Sequence, residues 1–128
     1  MAVLSNRGDK DKLTETTLDN IIEGSKETIQ SNNLMMTPEC ENEFRKYLRP
    51  GILCYIYTLP DTVTSYEGFN TRPGFTKLRM NVHAFVEAWI LDAKNHSENA
   101  LHEATFLRIK NIWEKVTDAV CPGFAPFC

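Results

Sequence analysis

The sequence lacks any hydrophobic run long enough to cross a bilayer, and it lacks a cluster of basic residues. A spanning helix needs about 20 consecutive apolar residues, whereas the longest apolar run, residues 51–59, is far shorter and is followed by Pro60. The net charge is −3, and no stripe of Lys and Arg is present that could neutralise phosphates. We therefore expect neither a membrane span nor a nucleic-acid partner.

Motifs of catalytic and phosphate-binding sites are also missing. No Gly-x-Ser-x-Gly elbow occurs, and the six glycines are isolated from one another rather than gathered in a phosphate-binding loop. Paired carboxylates such as Glu39 and Glu43 would share one helix face, but that face is predicted to be solvated. The sequence predicts a protein without catalytic activity.

The three histidines, His83, His96 and His102, do not follow the spacing of metal ligands. No Cys-x-x-Cys, His-x-x-x-His or Glu-x-x-His pattern is present. His83 and Glu87 lie four residues apart and would share a helix face, but the core positions around them are apolar and supply no further ligands. We expect no metal site and no cofactor.

Four cysteines, Cys40, Cys54, Cys121 and Cys128, carry the information about compartment. An even number in a small chain suggests two disulfides, and four cysteines allow three pairings. We favour Cys40–Cys54 with Cys121–Cys128, because each bond closes a short loop. One alternative joins the pair at 121 and 128 to the other two through long-range bonds, and another leaves four reduced thiols in a cytosolic protein.

Two further features bear on location. Residues 1–12 lack the apolar stretch of a signal peptide, so a secreted chain would be a mature form. The tripeptide Asn95-His96-Ser97 is a glycosylation sequon in a polar break between two helical patterns, where an acceptor would be accessible. Together with the cysteines, the sequon predicts an extracellular protein.

Residues 1–12 are predicted to be a flexible N-terminal arm, because they are rich in charged and turn-forming residues. The arm contains Arg7-Gly8-Asp9, which resembles the integrin-binding motif of adhesion proteins and disintegrins. On a flexible arm such a motif must be ordered on binding, which lowers affinity. An adhesive role is therefore a minor alternative. Residues 13–128 are predicted to form a single α-helical domain.

The second half of the chain has the most regular pattern. Apolar residues recur at steps of three and four in two successive segments, so that each segment presents one apolar helix face. These positions are Phe75, Leu78, Val82, Phe85, Trp89 and Ala93, followed by Phe106, Ile109, Trp113, Val116 and Val120. The few residues between the segments, with Ser97 as the predicted cap of the second helix, indicate an αα-hairpin.

The first half predicts a second hairpin. A first helix begins near Leu13, and Gly24 lowers its stability by about 1 kcal/mol relative to Ala unless a neighbour packs closely there. Thr37 and Pro38 are typical of a helix start. Pro50 should stop or kink this second helix. Residues 52–58 then suit either a short buried helix, which we favour, or a strand.

Only the connection over residues 59–74 is long, and it is rich in Pro and Gly. Short links elsewhere make antiparallel neighbours, so we predict an all-α fold: a small four- to five-helix bundle built from two αα-hairpins and linked by disulfides. Long loops are often functional. Tyr66 and Phe69 would form a contact surface on this loop or fold back over the core.

We predict a secreted, non-enzymatic helical binding protein that carries a small hydrophobic ligand in a cavity between the hairpins. The cavity would be lined by large aromatic residues of the core. These are Tyr55, Phe85, Trp89 and Trp113. The first alternative is a secreted protein–protein interaction module, of effector or signalling type, with a solid core and a contact surface of Tyr66 and Phe69 on the 59–74 loop. A third is a self-assembling structural secretion.

Overall fold

The computed structural model describes residues 2–60, 62–63 and 65–117, and within these residues it contains five helices and no β-strand. The helices are α1 Ala2–Ser31, α2 Pro38–Tyr57, α3 Tyr66–Asn70, α4 Pro73–Asn95 and α5 Glu103–Thr117. α1 packs along α2 and α4 packs along α5, while the short α3 contacts α1 and α4. The prediction of an all-α helical bundle is confirmed.

A group of four fully buried rings, here called the aromatic cluster, joins α2, α4 and α5. Phe44 of α2 stacks on Phe85 with ring centroids 5.8 Å apart and meets Trp89 edge-on at 5.3 Å. Phe106 of α5 lies 5.4 Å from the Trp89 ring and 6.2 Å from the Phe44 ring. Burying each such side chain contributes about 1.5–3 kcal/mol. The cluster therefore fixes three helices around one centre.

α1 packs with smaller side chains, and its buried hydroxyl groups are satisfied within the helix. Thr14, Thr17 and Ser25 are buried, and each donates a hydrogen bond to the carbonyl oxygen four residues earlier, at 2.7–2.9 Å. Such bonding removes the penalty of burying an unpaired hydroxyl. α1 can therefore pack against the bundle with side chains that occupy less volume than the aromatic rings of the other helices.

The turns of the two hairpins are joined by backbone hydrogen bonds at one end of the bundle. The Leu101 amide donates to the Met35 carbonyl oxygen at 2.8 Å, and the Thr37 amide donates to the Leu101 carbonyl oxygen at 3.1 Å. Leu101 is fully buried and forms an isolated parallel bridge with Met36. The link between α1 and α2 is thus tied to the link between α4 and α5.

Residues 2–12, which were predicted to belong to a flexible N-terminal arm, have helical backbone in the structure, because α1 begins at Ala2. Lys10 is only 7% exposed, and its Nζ donates to the Leu59 carbonyl oxygen at 3.0 Å. This contact holds the start of α1 against the end of α2 despite the high charge of the segment. Arg7-Gly8-Asp9 consequently lies within a helix.

The predicted Cys40–Cys54 disulfide is wrong. Both cysteines are free, and both belong to α2. Fourteen residues of helix separate them by about 21 Å at 1.5 Å per residue, whereas a disulfide requires Cα atoms about 5.5 Å apart. Cys121 and Cys128 lie outside the described residues. The predicted Cys121–Cys128 bond and the long-range alternatives therefore stay predictions.

The second helix does not stop at Pro50. It continues to Tyr57, so the helical alternative for residues 52–57 is right. Pro50 removes one backbone hydrogen bond, but the residue is exposed, and the helix beyond it buries Ile52 and Ile56. The burial of these side chains offsets the lost bond.

Two more boundaries differ from the expectation. The 59–74 connection is not without structure, because Ser65 caps α3 by accepting a hydrogen bond from the Gly68 amide at 3.3 Å. The last helix begins at Glu103 rather than just after Ser97, whose φ of 55° places it in the left-handed region. The residues between Ser97 and Glu103 are not helical, because Leu101 within this segment forms backbone hydrogen bonds with the turn between α1 and α2.

We expect Phe44→Ala to lower the free energy of unfolding by about 4 kcal/mol, because it empties the centre of the aromatic cluster. Urea denaturation followed by circular dichroism measures the change. Leu91→Ala on α4, where the side chain is 61% exposed, is the matched control and should change stability by less than about 0.5 kcal/mol. Equal effects of the two substitutions would contradict the central role of the cluster.

Candidate functional site

An open groove lies between α1 and α4, which belong to different hairpins, and α3 lies at its side. Its volume is about 350 Å³, at the lower end of the range for small-molecule sites. Both apolar and polar side chains line it. The groove can therefore hold a small molecule that has an apolar part and a polar group.

One wall of the groove is a face of α1 made mostly of small or polar residues. Its positions are Asn20, Ile21, Gly24, Ser25 and Thr28, which share one helix face. The Ser25 and Thr28 hydroxyls turn back to the Ile21 and Gly24 carbonyl oxygens, at 2.9 and 3.2 Å. A Cβ added at Gly24 would meet no atom within 4 Å. This wall is therefore recessed at Gly24, where the absent side chain leaves open space.

The opposite wall is a face of α4 that carries both apolar and basic residues. Val82 and Val86 lie one turn apart and are almost completely buried, so they form an apolar floor. Arg79 and His83 line the same groove, and their side chains are exposed to solvent. His83 Nε2 lies 2.7 Å from the Glu87 carboxylate on the next turn.

Arg79 is held in position by neutral neighbours. Its guanidinium lies 4.9 Å from the centroid of the Phe75 ring, and its Nη1 donates to the Asn70 side-chain oxygen at 3.1 Å. Tyr66 lines the same groove and meets Phe75 edge-on at 5.9 Å. Burial raises the pKa of Tyr66 above 10, with a smaller opposing effect of the Arg79 charge. At neutral pH the Tyr66 hydroxyl therefore carries its proton and can donate a hydrogen bond.

The charge of Arg79 is not balanced by an acidic residue. Three other arginines are paired with acidic residues: Arg45 and Arg49 contact carboxylates on α1, and Arg108 contacts two carboxylates. Arg79 makes no ion pair with the described residues, and none of the described residues that line the groove is acidic. The groove therefore offers a positive charge beside an apolar floor.

The four residues predicted to line a ligand cavity do not line this groove. Phe85 and Trp89 are fully buried in the aromatic cluster, and Trp113 packs edge-on against Phe85 at 5.6 Å. Tyr55 lies 5.6 Å from the Phe69 ring, and its ring is so close to α4 that a Cβ at position 74 would collide with it. As placed, these four side chains pack against the core.

The two residues predicted to contact a protein partner have different environments. Phe69 is fully buried, and its ring lies 4.5 Å from the Phe75 ring. The expectation that Phe69 forms a contact surface is therefore wrong, because α3 turns this side chain into the core. Tyr66 is half-buried and faces the groove between α1 and α4.

A cluster of potential metal ligands lies where α4 ends. Donor atoms of Asp92, His96 and Glu98 lie within 4.8 Å of one another. Arg108 already binds this cluster: its Nε donates to Asp92 at 2.7 Å, and its Nη2 contacts Glu98. Thr105 also donates to Glu98, at 2.7 Å. A cation would have to displace the guanidinium, so we interpret the cluster as an ion-pair network that joins α4 to α5.

Comparisons with protein-family models, with curated proteins and with solved structures give no significant match. Among the helices of the described part of the chain, none is long and apolar enough to cross a membrane.

Neither Gly24 nor Arg79 was predicted from the sequence to line a binding site, although both line the groove. Gly24 gave a usable signal, because a glycine inside a helix is unfavourable and requires a reason. Arg79 gave none, since an arginine beside an apolar helix face is common and its missing partner is visible only in three dimensions.

We expect the two described cysteines to differ strongly in reactivity. Cys40 is fully buried, and this burial, with smaller contributions from Glu103 and Glu43, raises the pKa of its thiol to about 12. Iodoacetamide at pH 8 should therefore alkylate exposed Cys54 in the folded protein and leave Cys40 unmodified. Peptide mass mapping measures both sites, and unfolding in urea is the control in which both react. Equal labelling in the folded state would contradict the placement of Cys40.

We expect Glu98→Gln to reduce stability by about 1 kcal/mol at neutral pH, because it weakens the network with Arg108. Hydrogen bonds from Arg108 and Thr105 hold the pKa of Glu98 below its ordinary 4.5. A carboxyl with a lowered folded-state pKa stabilises the fold above its unfolded pKa, and this contribution disappears as the pH falls through the folded pKa.

The difference in unfolding free energy between wild type and Glu98→Gln should therefore be present at pH 6–7 and vanish well below pH 4.5. Urea titrations across this range measure it. Glu27→Gln is the control, because the exposed Glu27 makes no ion pair with the described residues. A difference that stays constant with pH would show that the charge of Glu98 is not its cause.

Proposed function

We propose that the protein binds a small, largely apolar ligand in the groove between α1 and α4 and catalyses no reaction. A floor of Val82 and Val86, a volume of about 350 Å³ and polar groups at the edge support this role. Sites for small molecules commonly combine an apolar lining with a few polar groups that orient the ligand. The groove lies between the two hairpins, although its lining differs from the one predicted.

The observation that carries the proposal is the environment of Gly24. A glycine inside a helix is about 1 kcal/mol less favourable than Ala, and close packing of a neighbour is the usual structural reason for one. No such packing exists here, because a Cβ would meet nothing within 4 Å. The absence of a side chain at Gly24 instead makes the groove deeper on the α1 side. A ligand is the occupant that makes use of this space.

We further propose an extracellular location for this binding protein. Asn95 of the sequon is exposed at the end of α4, where a glycosyltransferase can reach it. Disulfides give this location less support than the sequence indicated, since Cys40 and Cys54 are free and only Cys121 and Cys128 remain as candidates for a bond.

The alternative role as a protein interaction module has less support. It requires exposed apolar side chains on the 59–74 connection, and Phe69 is fully buried. Tyr66 alone is half-buried and contributes to the groove. We therefore rank ligand binding first.

We expect Gly24→Leu to abolish ligand binding while leaving the fold intact, because the new side chain fills the groove and also favours the helix. Geraniol and 1-octanol are suitable neutral probes. In two-dimensional amide NMR spectra of the wild type, either probe should shift the resonances of Gly24, Val82 and Val86. In the variant these shifts should be lost, and urea denaturation should show a stability gain of about 0.5–1 kcal/mol.

Gly8→Leu is the matched control, because Gly8 is the other glycine of α1 with open space around it. It changes helix propensity in the same way but lies outside the groove, so binding should be unchanged. The proposal fails if neither probe shifts the groove resonances in the wild type. It also fails if Gly24→Leu binds as well as Gly8→Leu.

A further inference from the structure

We infer that the groove selects ligands that carry a single carboxylate on a compact apolar body, with the carboxylate bound by Arg79 and Tyr66. This inference rests on the proposed function and specifies the chemistry of its ligand. Within the described part of the chain, Arg79 is the only arginine that lines the groove, and none of the described carboxylates forms an ion pair with it.

The Arg79 side chain is arranged in advance for an anion. The Phe75 ring supports its guanidinium at 4.9 Å, and Asn70 accepts a hydrogen bond from Nη1 at 3.1 Å. A guanidinium has five N–H donors in a fixed plane, so one bond to Asn70 leaves several for a ligand. A planar carboxylate fits this arrangement with two parallel hydrogen bonds. Little side-chain freedom remains to be lost on binding.

The number of charges favours a monoanion. His83, the other basic residue in the groove, already has Glu87 at 2.7 Å, which leaves the charge of Arg79 as the one to be balanced. A single carboxylate balances it, whereas a doubly charged phosphate would keep one negative charge without a partner in the groove. The Tyr66 hydroxyl, protonated at neutral pH, supplies a further donor beside Arg79.

The apolar body of the ligand would extend along α4 from this head-group site. Val82 and Val86 follow Arg79 by one and two turns, and seven residues of helix span about 10 Å. Both valines form the floor, and Gly24 provides the space opposite them. The distance suits a medium-length chain such as that of octanoate, with its carboxylate at Arg79.

The test compares octanoate, 1-octanol and octylamine, which share one chain and differ in charge. Isothermal titration calorimetry gives the affinities, and shifts of the Gly24, Val82 and Val86 amide resonances establish that binding occurs in the groove. We expect octanoate to bind at least about tenfold more tightly than the other two, because charged hydrogen bonds contribute this much or more. Arg79→Gln should lower the octanoate affinity to that of octanol and leave octanol unchanged.

Lys77→Gln is the matched control, because it removes one positive charge from the same helix at a residue that does not line the groove. It should preserve the preference for octanoate. Equal binding of octanoate and octanol in the groove overturns the carboxylate inference and leaves the proposed function standing. A preference that survives Arg79→Gln also overturns it. If none of the three probes shifts the groove resonances, both the inference and the proposed function fail.

Discussion

The structure depends on the contact of Phe44 with rings from two other helices. This single side chain of α2 meets Phe85 and Trp89 of α4 and Phe106 of α5, so its burial fixes three of the four long helices together. α1 joins the bundle with aliphatic and hydroxyl side chains instead. Because the largest side chains are concentrated on one side, the space between α1 and α4 is not filled from within. The groove is thus a consequence of how the core volume is distributed.

The positive charge of the groove depends on how ion pairs are distributed over the surface of the bundle. Several charged side chains around the bundle are paired locally: Arg45 with Asp19, Lys26 with Glu41, and Arg108 with its two carboxylates. Such pairs on a protein surface add little stability each, but they neutralise the charges that take part in them. Arg79 is different because its neighbours are a ring and an amide. A cation placed among neutral groups next to an apolar floor keeps its attraction for an anion.

The sequence predicted what depends on periodicity and missed what depends on tertiary contacts. The steps of three and four from Phe75 to Ala93 correctly placed a helix, and Thr37 caps α2 as its residue type indicates. The helical backbone of residues 2–12 was not predicted, because the contact of Lys10 with Leu59 joins residues that are distant in sequence. The disulfide prediction failed because a short sequence separation becomes a long distance along one helix. The residues predicted to line a ligand cavity are large aromatics that pack against the core, whereas the groove is lined by smaller residues such as Gly24 and Val82 together with polar side chains.

The joined turns at Leu101 have a mechanical consequence. α1 and α4 both end at these turns, and Lys94 at the end of α4 donates to Asn32 just beyond α1 at 2.9 Å. The two helices are therefore parallel neighbours that are joined by hydrogen bonds at one end, while the short α3 contacts both of them further along. Any widening of the space between them near α3 must therefore change the contacts of α3 with at least one of the two helices. Tyr66, which lies on α3 and lines the groove, is the side chain whose surroundings such a movement would alter first.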